Sequence, residues 1–208
     1  MSAPEAWGLP RTALLDGRCY RLNTDYRDIL DLIGWLEGEK GAAFSPEERW
    51  YIALHLFYQE FDTMPPASYA AATDYLASFL AGGRAEEKSA GPKLLDWDQD
   101  APMIVAGINK AAGCEVRALP YLHWWTFLAW FAAMGEGTLS TVVAIRDKLR
   151  RGKRLESWEL DFYRTHRAEV ELRPRMSDAE KAERARLRAL LDGKTRKGGD
   201  AVGQFHPI

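Results

Sequence analysis

Apolar side chains recur every three or four positions along most of the chain, which is the spacing of one face of an α-helix. Helix-start signals accompany these faces. Thr24 or Asp25 can cap the first helix, and Ser45 with Glu48 forms a capping box before the second. The pattern predicts helices over residues 25–37, 46–61, 66–80, 103–112, 121–131, 138–151, 155–172 and 179–191.

Strands are not expected from this pattern, because we identify neither an alternating apolar and polar run nor an Asp-Gly turn between apolar runs. The predicted fold class is all-α, a single compact multi-helix domain of about seven to eight helices. We divide the chain into a lead segment (1–22), an all-α core domain (23–172) and a basic helix with a flexible tail (173–208). The residues expected to form the apolar face of the seventh helix are Trp158, Phe162 and Val170.

The composition is that of an ordinary globular protein, since 47% of the residues are apolar and 28% are charged. The formal net charge of −2 hides an uneven distribution. Residues 23–100 carry fifteen acidic and six basic side chains, whereas residues 173–208 carry five acidic and nine basic ones. Charge runs of this kind usually lie on solvated faces, although an acidic front and a basic tail could also attract different partners.

One segment raises the question of a membrane, because residues 118–135 contain no Asp, Glu, Lys or Arg. Eighteen uncharged residues reach the lower limit for a membrane-spanning helix. Pro120, His123 and the lack of flanking basic clusters argue against a span. We therefore expect an aromatic helix buried in a multi-helix protein, and no membrane contact.

Chemistry-bearing residues show none of the spacings of a catalytic or metal site. Cys19 and Cys114 stand alone, so a zinc site or a disulfide framework is not expected and a reducing compartment fits. His55 and His123 lie in predicted aromatic helices, where a hydrogen-bonded core histidine is the simpler interpretation. Phosphate-binding loops and nucleophile elbows are also missing from the sequence. We expect neither enzymatic activity nor a cofactor.

Three alternating carboxylates, Asp96, Asp98 and Asp100, precede the fourth predicted helix. Carboxylates at this spacing can bind calcium, but the glycine and the distal glutamate of an EF-hand loop are missing. Capping of the fourth helix by Asp98 or Asp100 is the simpler interpretation.

The basic end of the chain could neutralise nucleic-acid phosphates. Four acidic residues are interleaved with its basic ones, and no recognition helix or base-stacking platform accompanies them. We therefore do not expect nucleic-acid binding.

Two spaced segments, Asp-Trp-Asp-Gln-Asp-Ala-Pro at residues 96–102 and Tyr-Leu-His-Trp-Trp-Thr-Phe at residues 121–127, resemble the bacteriophage gene-product-fifteen family. The resemblance extends in both directions and covers about residues 23–172. The motif residues, which we expect to be structural, are Asp25, Asp98, Gln99, Asp100, Pro102, Tyr121, His123, Trp124 and Trp125.

The resemblance implies a small all-α protein encoded among the tail morphogenesis genes of long-tailed phages and prophages of Gram-positive bacteria, near the tape-measure gene. The implied role is tail assembly, as a chaperone that binds the tape-measure protein before tail-tube polymerisation. The alternative is a structural tail or head–tail component retained in the virion. A chaperone would act in the host bacterial cytoplasm, and residues 1–15 show no secretory signal.

A tape-measure protein is a long, largely helical and partly apolar chain, which a chaperone would mask by offering an apolar groove to its helices. Met64, Met103 and Met134 are adaptable contact residues for such a groove. The high aromatic content equally describes a large core, and an exposed aromatic patch could instead form a homo-oligomer. The residues near helix ends that we expect to contact the partner are Trp35, Trp50 and Trp97.

Overall fold

The computed structural model describes residues 8–84 and 93–173, together with Arg186. Helices dominate this part of the chain, which confirms the predicted all-α class. None of the helices formed by these residues combines the length and the apolarity needed to cross a membrane. Within residues 8–84 and 93–173 the α-helices are α1 (Tyr26–Glu37), α2 (Pro46–Phe57), α3 (Tyr69–Leu80), α4 (Ala101–Ala112), α5 (Trp124–Ala132), α6 (Thr138–Arg150), α7 (Ser157–Thr165) and α8 (Arg167–Val170).

A short β-hairpin precedes the helices, so the expectation of no hairpin was wrong. Strands β1 (Thr12–Leu15) and β2 (Arg18–Arg21) pair antiparallel through a two-residue turn, Asp16-Gly17. Both turn residues have positive φ, 49° and 79°, and a two-residue turn of this kind favours Asp-Gly. The signal was therefore present, but the apolar runs beside it are only a few residues long.

The predicted starts of α1 and α2 are confirmed. The Asp25 carboxylate accepts from the Arg27 backbone N–H, which identifies Asp25 as the cap of α1. Ser45 and Glu48 form the reciprocal capping box of α2. Helix α2 ends at Phe57, earlier than predicted, because the chain turns there and continues in a separate 3₁₀ turn, Phe61–Thr63.

Helix α5 begins at Trp124, three residues later than predicted, because the chain before it is extended and pairs with the start of α1. The Tyr26 N–H donates to the Leu122 carbonyl at 2.9 Å, and the Trp124 N–H donates to the Thr24 carbonyl at 2.8 Å. The Leu122 carbonyl therefore accepts from Tyr26 and not from an amide four positions later in the chain, as it would in a helix.

The predicted seventh helix is two helices, α7 and α8. His166, with φ −113° and ψ 31°, interrupts the helical conformation between them. The break directs Val170 into the interior, where it is buried. Trp158 is 56% exposed, so its assignment to the apolar face was wrong.

The main core lies between the hairpin and the first five helices. The largest completely buried side chains include Tyr20, Phe57, Phe79, Trp124 and Phe127, which come from four different elements. A second, smaller cluster of Val142, Ile145 and Val170 joins α6 to α8. The predicted eighth helix over residues 179–191 lies outside the described residues, apart from Arg186.

Candidate functional site

His123 lies where three segments meet, and its side chain is almost completely buried. Its Nδ1 accepts from the Trp125 backbone N–H at 3.0 Å, which makes it the cap of α5. The ring proton must then lie on Nε2, which donates to the Pro10 carbonyl at 3.0 Å. Burial lowers the pKa of His123 most, the hydrogen bond to Pro10 raises it, and the charge of Arg11 lowers it. The net effect keeps the imidazole neutral.

The two tryptophans after His123 connect α5 to the end of α3. The Trp124 indole N–H donates to the Leu80 carbonyl at 3.1 Å, and that of Trp125 donates to the Phe79 carbonyl at 3.0 Å. The buried indole of Trp124 and the half-buried one of Trp125 therefore each have a hydrogen-bond acceptor. Gly83 leaves room for this contact, since a Cβ atom there would lie 2.9 Å from the Trp125 ring.

Asp25 connects the same region to α1. One carboxylate oxygen accepts from the Arg27 N–H and the other accepts from the Leu122 N–H, both at 3.0 Å. Arg27 in turn donates to Asp25 and to the Leu119 carbonyl. The motif residues Asp25, His123, Trp124 and Trp125 thus connect the segment before the hairpin to α1, α3 and α5.

Two further motif residues, Gln99 and Asp100, form with Arg146 what we call the polar clamp. Asp100 and Arg146 form a bidentate ion pair at 2.7 and 2.8 Å, and their side chains are 0% and 3% exposed. The Asp96 N–H also donates to the Asp100 carboxylate. The other three guanidinium hydrogen bonds go to the carbonyls of Leu94, Glu169 and Val170. All five donors of Arg146 are therefore used.

Gln99 completes the polar clamp by binding the chain after α8. Its amide N–H group donates to the carbonyls of Ala168 and Glu171, and its side-chain oxygen accepts from the Arg173 N–H at 2.9 Å. The prediction that an aspartate caps α4 was wrong: Asp100 is at the cap position, but its carboxylate binds Arg146 and Asp96 instead of the helix amides.

The remaining motif residues are more exposed. Asp98 lies on the surface in the turn before α4, and Pro102 is exposed in the first turn of that helix. The Tyr121 hydroxyl is 2.7 Å from the Thr24 hydroxyl, although the tyrosine is 41% exposed.

An apolar groove of about 750 Å³ lies between α4, the end of α5 and the start of α6. Lys110 and Glu136 are the charged residues among those that line it. Gly107 lets Met134 approach α4 closely, since a Cβ atom there would lie 2.4 Å from the Met134 sulfur. The side chains and the glycine that form most of the groove are Met103, Gly107, Phe131, Met134, Leu139 and Val143.

Two of the three methionines that we expected to contact a partner therefore line the apolar groove. The third, Met64, is buried in the main core at 4% exposure. Methionine side chains are flexible and polarisable, so a groove that contains two of them can adapt to different apolar side chains.

The structure separates the three tryptophans that we expected to contact a partner. Trp35 at the end of α1 lies against Phe44, and Trp50 on α2 packs against the main core. Trp97 packs against Trp124 and the groove residue Phe131. All three are half-buried, and their role in binding stays a prediction.

A second cavity, of about 600 Å³, lies between the hairpin, α3 and Trp125. Its lining includes Cys19, Tyr75 and Ser78 and is therefore more polar than that of the apolar groove. His55, which we expected in the core, is exposed beside Asp62. Within residues 8–84 and 93–173, no three His, Cys, Asp or Glu side chains converge as metal ligands would.

Comparison with known proteins places this arrangement in a family. Residues 8–172 match the family model described as Bacteriophage Gp15 protein, which is most of the chain. The chain belongs to the bacteriophage Gp15 protein family. No curated protein and no solved structure shows a significant match to it.

Gp15 family membership makes this a phage protein of the structural or morphogenesis class. The matched region begins before the hairpin and ends just after α8, so it contains both the His123 region and the polar clamp. The resemblance found in the sequence is thereby confirmed, and it extends to the hairpin that the sequence analysis missed.

Sequence analysis also missed Arg146, the partner of Asp100. The only available signal was a basic residue next to the apolar positions Val142 and Ile145 of α6. A charged residue at such a position usually points to solvent, so the sequence did not indicate a buried ion pair.

Proposed function

We propose that this Gp15-family protein is a non-enzymatic tail-assembly chaperone that binds an amphipathic helix of the tape-measure protein in the apolar groove. The apolar groove is the observation that carries the proposal, because its lining is apolar apart from Lys110 and Glu136 and a few small polar residues. Family membership supports the phage morphogenesis context, and the tape-measure partner comes from the resemblance.

The groove suits a helix for two physical reasons. Small residues along it, including Ala106, Gly107 and Ala132, allow a helix backbone to come close. Met103 and Met134 can adjust to the bulky side chains of the incoming helix. Burial of each large apolar side chain would contribute roughly 1.5–3 kcal/mol before the cost of association.

The geometry of the motif residues is compatible with a scaffold role. Asp25, His123 and Asp100 use their polar atoms on neighbouring parts of the fold, and the partner of Asp100 is the Arg146 guanidinium. We accordingly propose that binding is performed by the apolar groove, while the motif residues maintain the arrangement of helices around it.

Co-expression with the tape-measure protein of the same phage tests the proposal. The chaperone function predicts that the tape-measure protein stays in the soluble fraction and co-purifies with this protein. The purified virion is then examined by mass spectrometry, and a chaperone should be missing from it. A tape-measure protein that remains insoluble, together with stoichiometric amounts of this protein in the virion, would favour the structural alternative.

A further inference from the structure

The end of the described chain is bound to the segment that leads into α4, one wall of the apolar groove. Arg173, the last residue before the undescribed segment, donates its backbone N–H to the Gln99 side chain at 2.9 Å. Gln99 precedes the groove residues Pro102 and Met103 by only three and four positions. The polar clamp therefore holds Arg173 near the start of α4, where Arg173 lines a separate cavity between this segment and α1.

The apolar contacts of α8 reach the same place. Val170 packs with Val142 and Ile145, and Met103 packs against this cluster from α4. Met103 also lines the apolar groove. The cluster that includes Val170 is thus continuous with the groove surface through Met103.

The sequence beyond Arg173 contains one segment suited to an apolar groove. Ser177 and Glu180 have the spacing of a capping box. Leu187, Leu190 and Leu191 follow at the spacing of one helix face, in a segment that is otherwise rich in charged residues. A helix of this length with three large apolar residues is marginal in water, so burial of the leucines would stabilise it.

The connection is long enough for the leucines to reach any part of the groove. Six residue steps lead from Arg173 to Ala179 and span at most about 20–22 Å when extended. The eight helical steps from Ala179 to Leu187 add about 12 Å. Helix α4, which forms one wall of the groove, has twelve residues and is about 18 Å long. A tethered segment also has an effective concentration near the millimolar range, which favours it over a second copy of the protein.

We propose that residues 179–191 cover the apolar groove of the same chain, through Leu187, Leu190 and Leu191, until a partner helix displaces them. This inference rests on the proposed function, because it makes the C-terminal segment a competitor for the partner site. The segment would prevent aggregation of the free protein through the exposed groove. It would also lower the apparent affinity for the partner, because only molecules with an uncovered groove can bind.

Methyl NMR on the full chain tests the inference directly. The chain has five methionines, of which Met103 and Met134 line the groove and Met64 is buried in the main core. With ¹³C-methyl methionine and a soluble gadolinium chelate, the relaxation of each methyl group reports its contact with solvent. The variant carrying Leu187→Asp and Leu190→Asp should relax severalfold faster at Met103 and Met134 and remain unchanged at Met64. Val202→Asp, which lies beyond residues 179–191, is the matched control and should behave like the wild type.

The outcomes separate this inference from the proposed function. Equal relaxation of the Met103 and Met134 methyl groups in the wild type and the double variant would overturn the inference. Protection that disappears on dilution would also overturn it, because the groove would then be covered by a second copy of the protein. If the inference holds, the double variant should also bind the tape-measure protein severalfold more tightly. If the wild type and the double variant bind the tape-measure protein equally and Met103 and Met134 are not protected from solvent, only the inference about residues 179–191 is refuted. If neither the wild type nor any variant binds the tape-measure protein, the proposed function is refuted.

Discussion

A neutral imidazole is the feature on which the contacts of His123 depend. Nδ1 can accept from the Trp125 N–H only while it is unprotonated, and the ring lies against the Phe79 and Trp125 side chains in the core. Arg11 is the charged group that acts on its pKa, and it opposes protonation. Protonation would therefore break the cap of α5 and place a charge in the core.

Lowering the pH should for this reason destabilise the protein before its carboxylates titrate. The unfolded chain binds a proton at the ordinary histidine pKa of 6.5, whereas the pKa of His123 in the folded chain is lower. The free energy of unfolding should then fall as the pH drops below 6.5, the histidine pKa of the unfolded chain. It should level off once the pH is below the pKa of His123 in the folded chain. Urea denaturation across this range checks the slope. His123→Asn keeps a side chain that can cap a helix, and it should have a flatter profile. An identical slope in this variant would assign the effect to other groups.

Arg146 offers a second prediction at the same scale. Replacing it with methionine leaves the Asp100 carboxylate buried without its partner, and three backbone carbonyls lose a donor. Loss of one member of a buried pair costs about 3–5 kcal/mol of stability, whereas replacing both members with apolar residues costs much less. Chemical denaturation of Arg146→Met and of the double variant with Asp100→Leu checks both values. Equal destabilisation by the two variants would show that the ion pair itself provides the stability.

Among the elements, α8 depends on side chains from elsewhere in the fold. It has only four residues, too few to be stable as an isolated helix. Gln99 binds three backbone groups around it, and Arg146 binds two more. The polar clamp therefore determines where the chain goes after α8.

Gln99→Ala should release this element without unfolding the rest. Amide protons of residues 167–173 should exchange faster with solvent, while those of α1 and α2 keep their protection. Loss of these hydrogen bonds should reduce global stability by roughly 1–2 kcal/mol at most. Hydrogen exchange measured by mass spectrometry provides the comparison. Unchanged exchange in residues 167–173 would show that the Val170 contacts alone hold α8 in place.

The accuracy of the sequence predictions also varied between elements, for identifiable reasons. The starts of α1 and α2 follow from local side-chain caps, so Asp25 and Ser45 could be recognised from the sequence. The late start of α5 and the break between α7 and α8 result from contacts with distant segments, which local patterns do not contain. Asp16 and Gly17 carry a local hairpin signal, but the apolar runs on either side of this turn are too short to show an alternating pattern.

At the scale of the whole molecule, the protein combines a scaffold of buried polar contacts with one apolar surface. The family resemblance drew attention to Asp100 but not to its partner Arg146, because the two residues lie 46 positions apart. The groove could be anticipated only through Met103 and Met134. Its walls come from α4, α5 and α6, and the sequence alone does not show that these helices meet.

The central claim is that the apolar groove binds the tape-measure protein, and a matched pair of variants tests it most directly. Ala106 and Ala144 are both exposed helical alanines, but only Ala106 lines the groove. A carboxylate at Ala106→Glu would have to be desolvated on binding, which costs about 1–3 kcal/mol or more, whereas Ala144→Glu should have no effect. The decisive measurement is the affinity of each purified variant for the tape-measure protein. The proposed function predicts that Ala106→Glu weakens binding by about tenfold or more while Ala144→Glu binds like the wild type. Equal affinities of the two variants would contradict it.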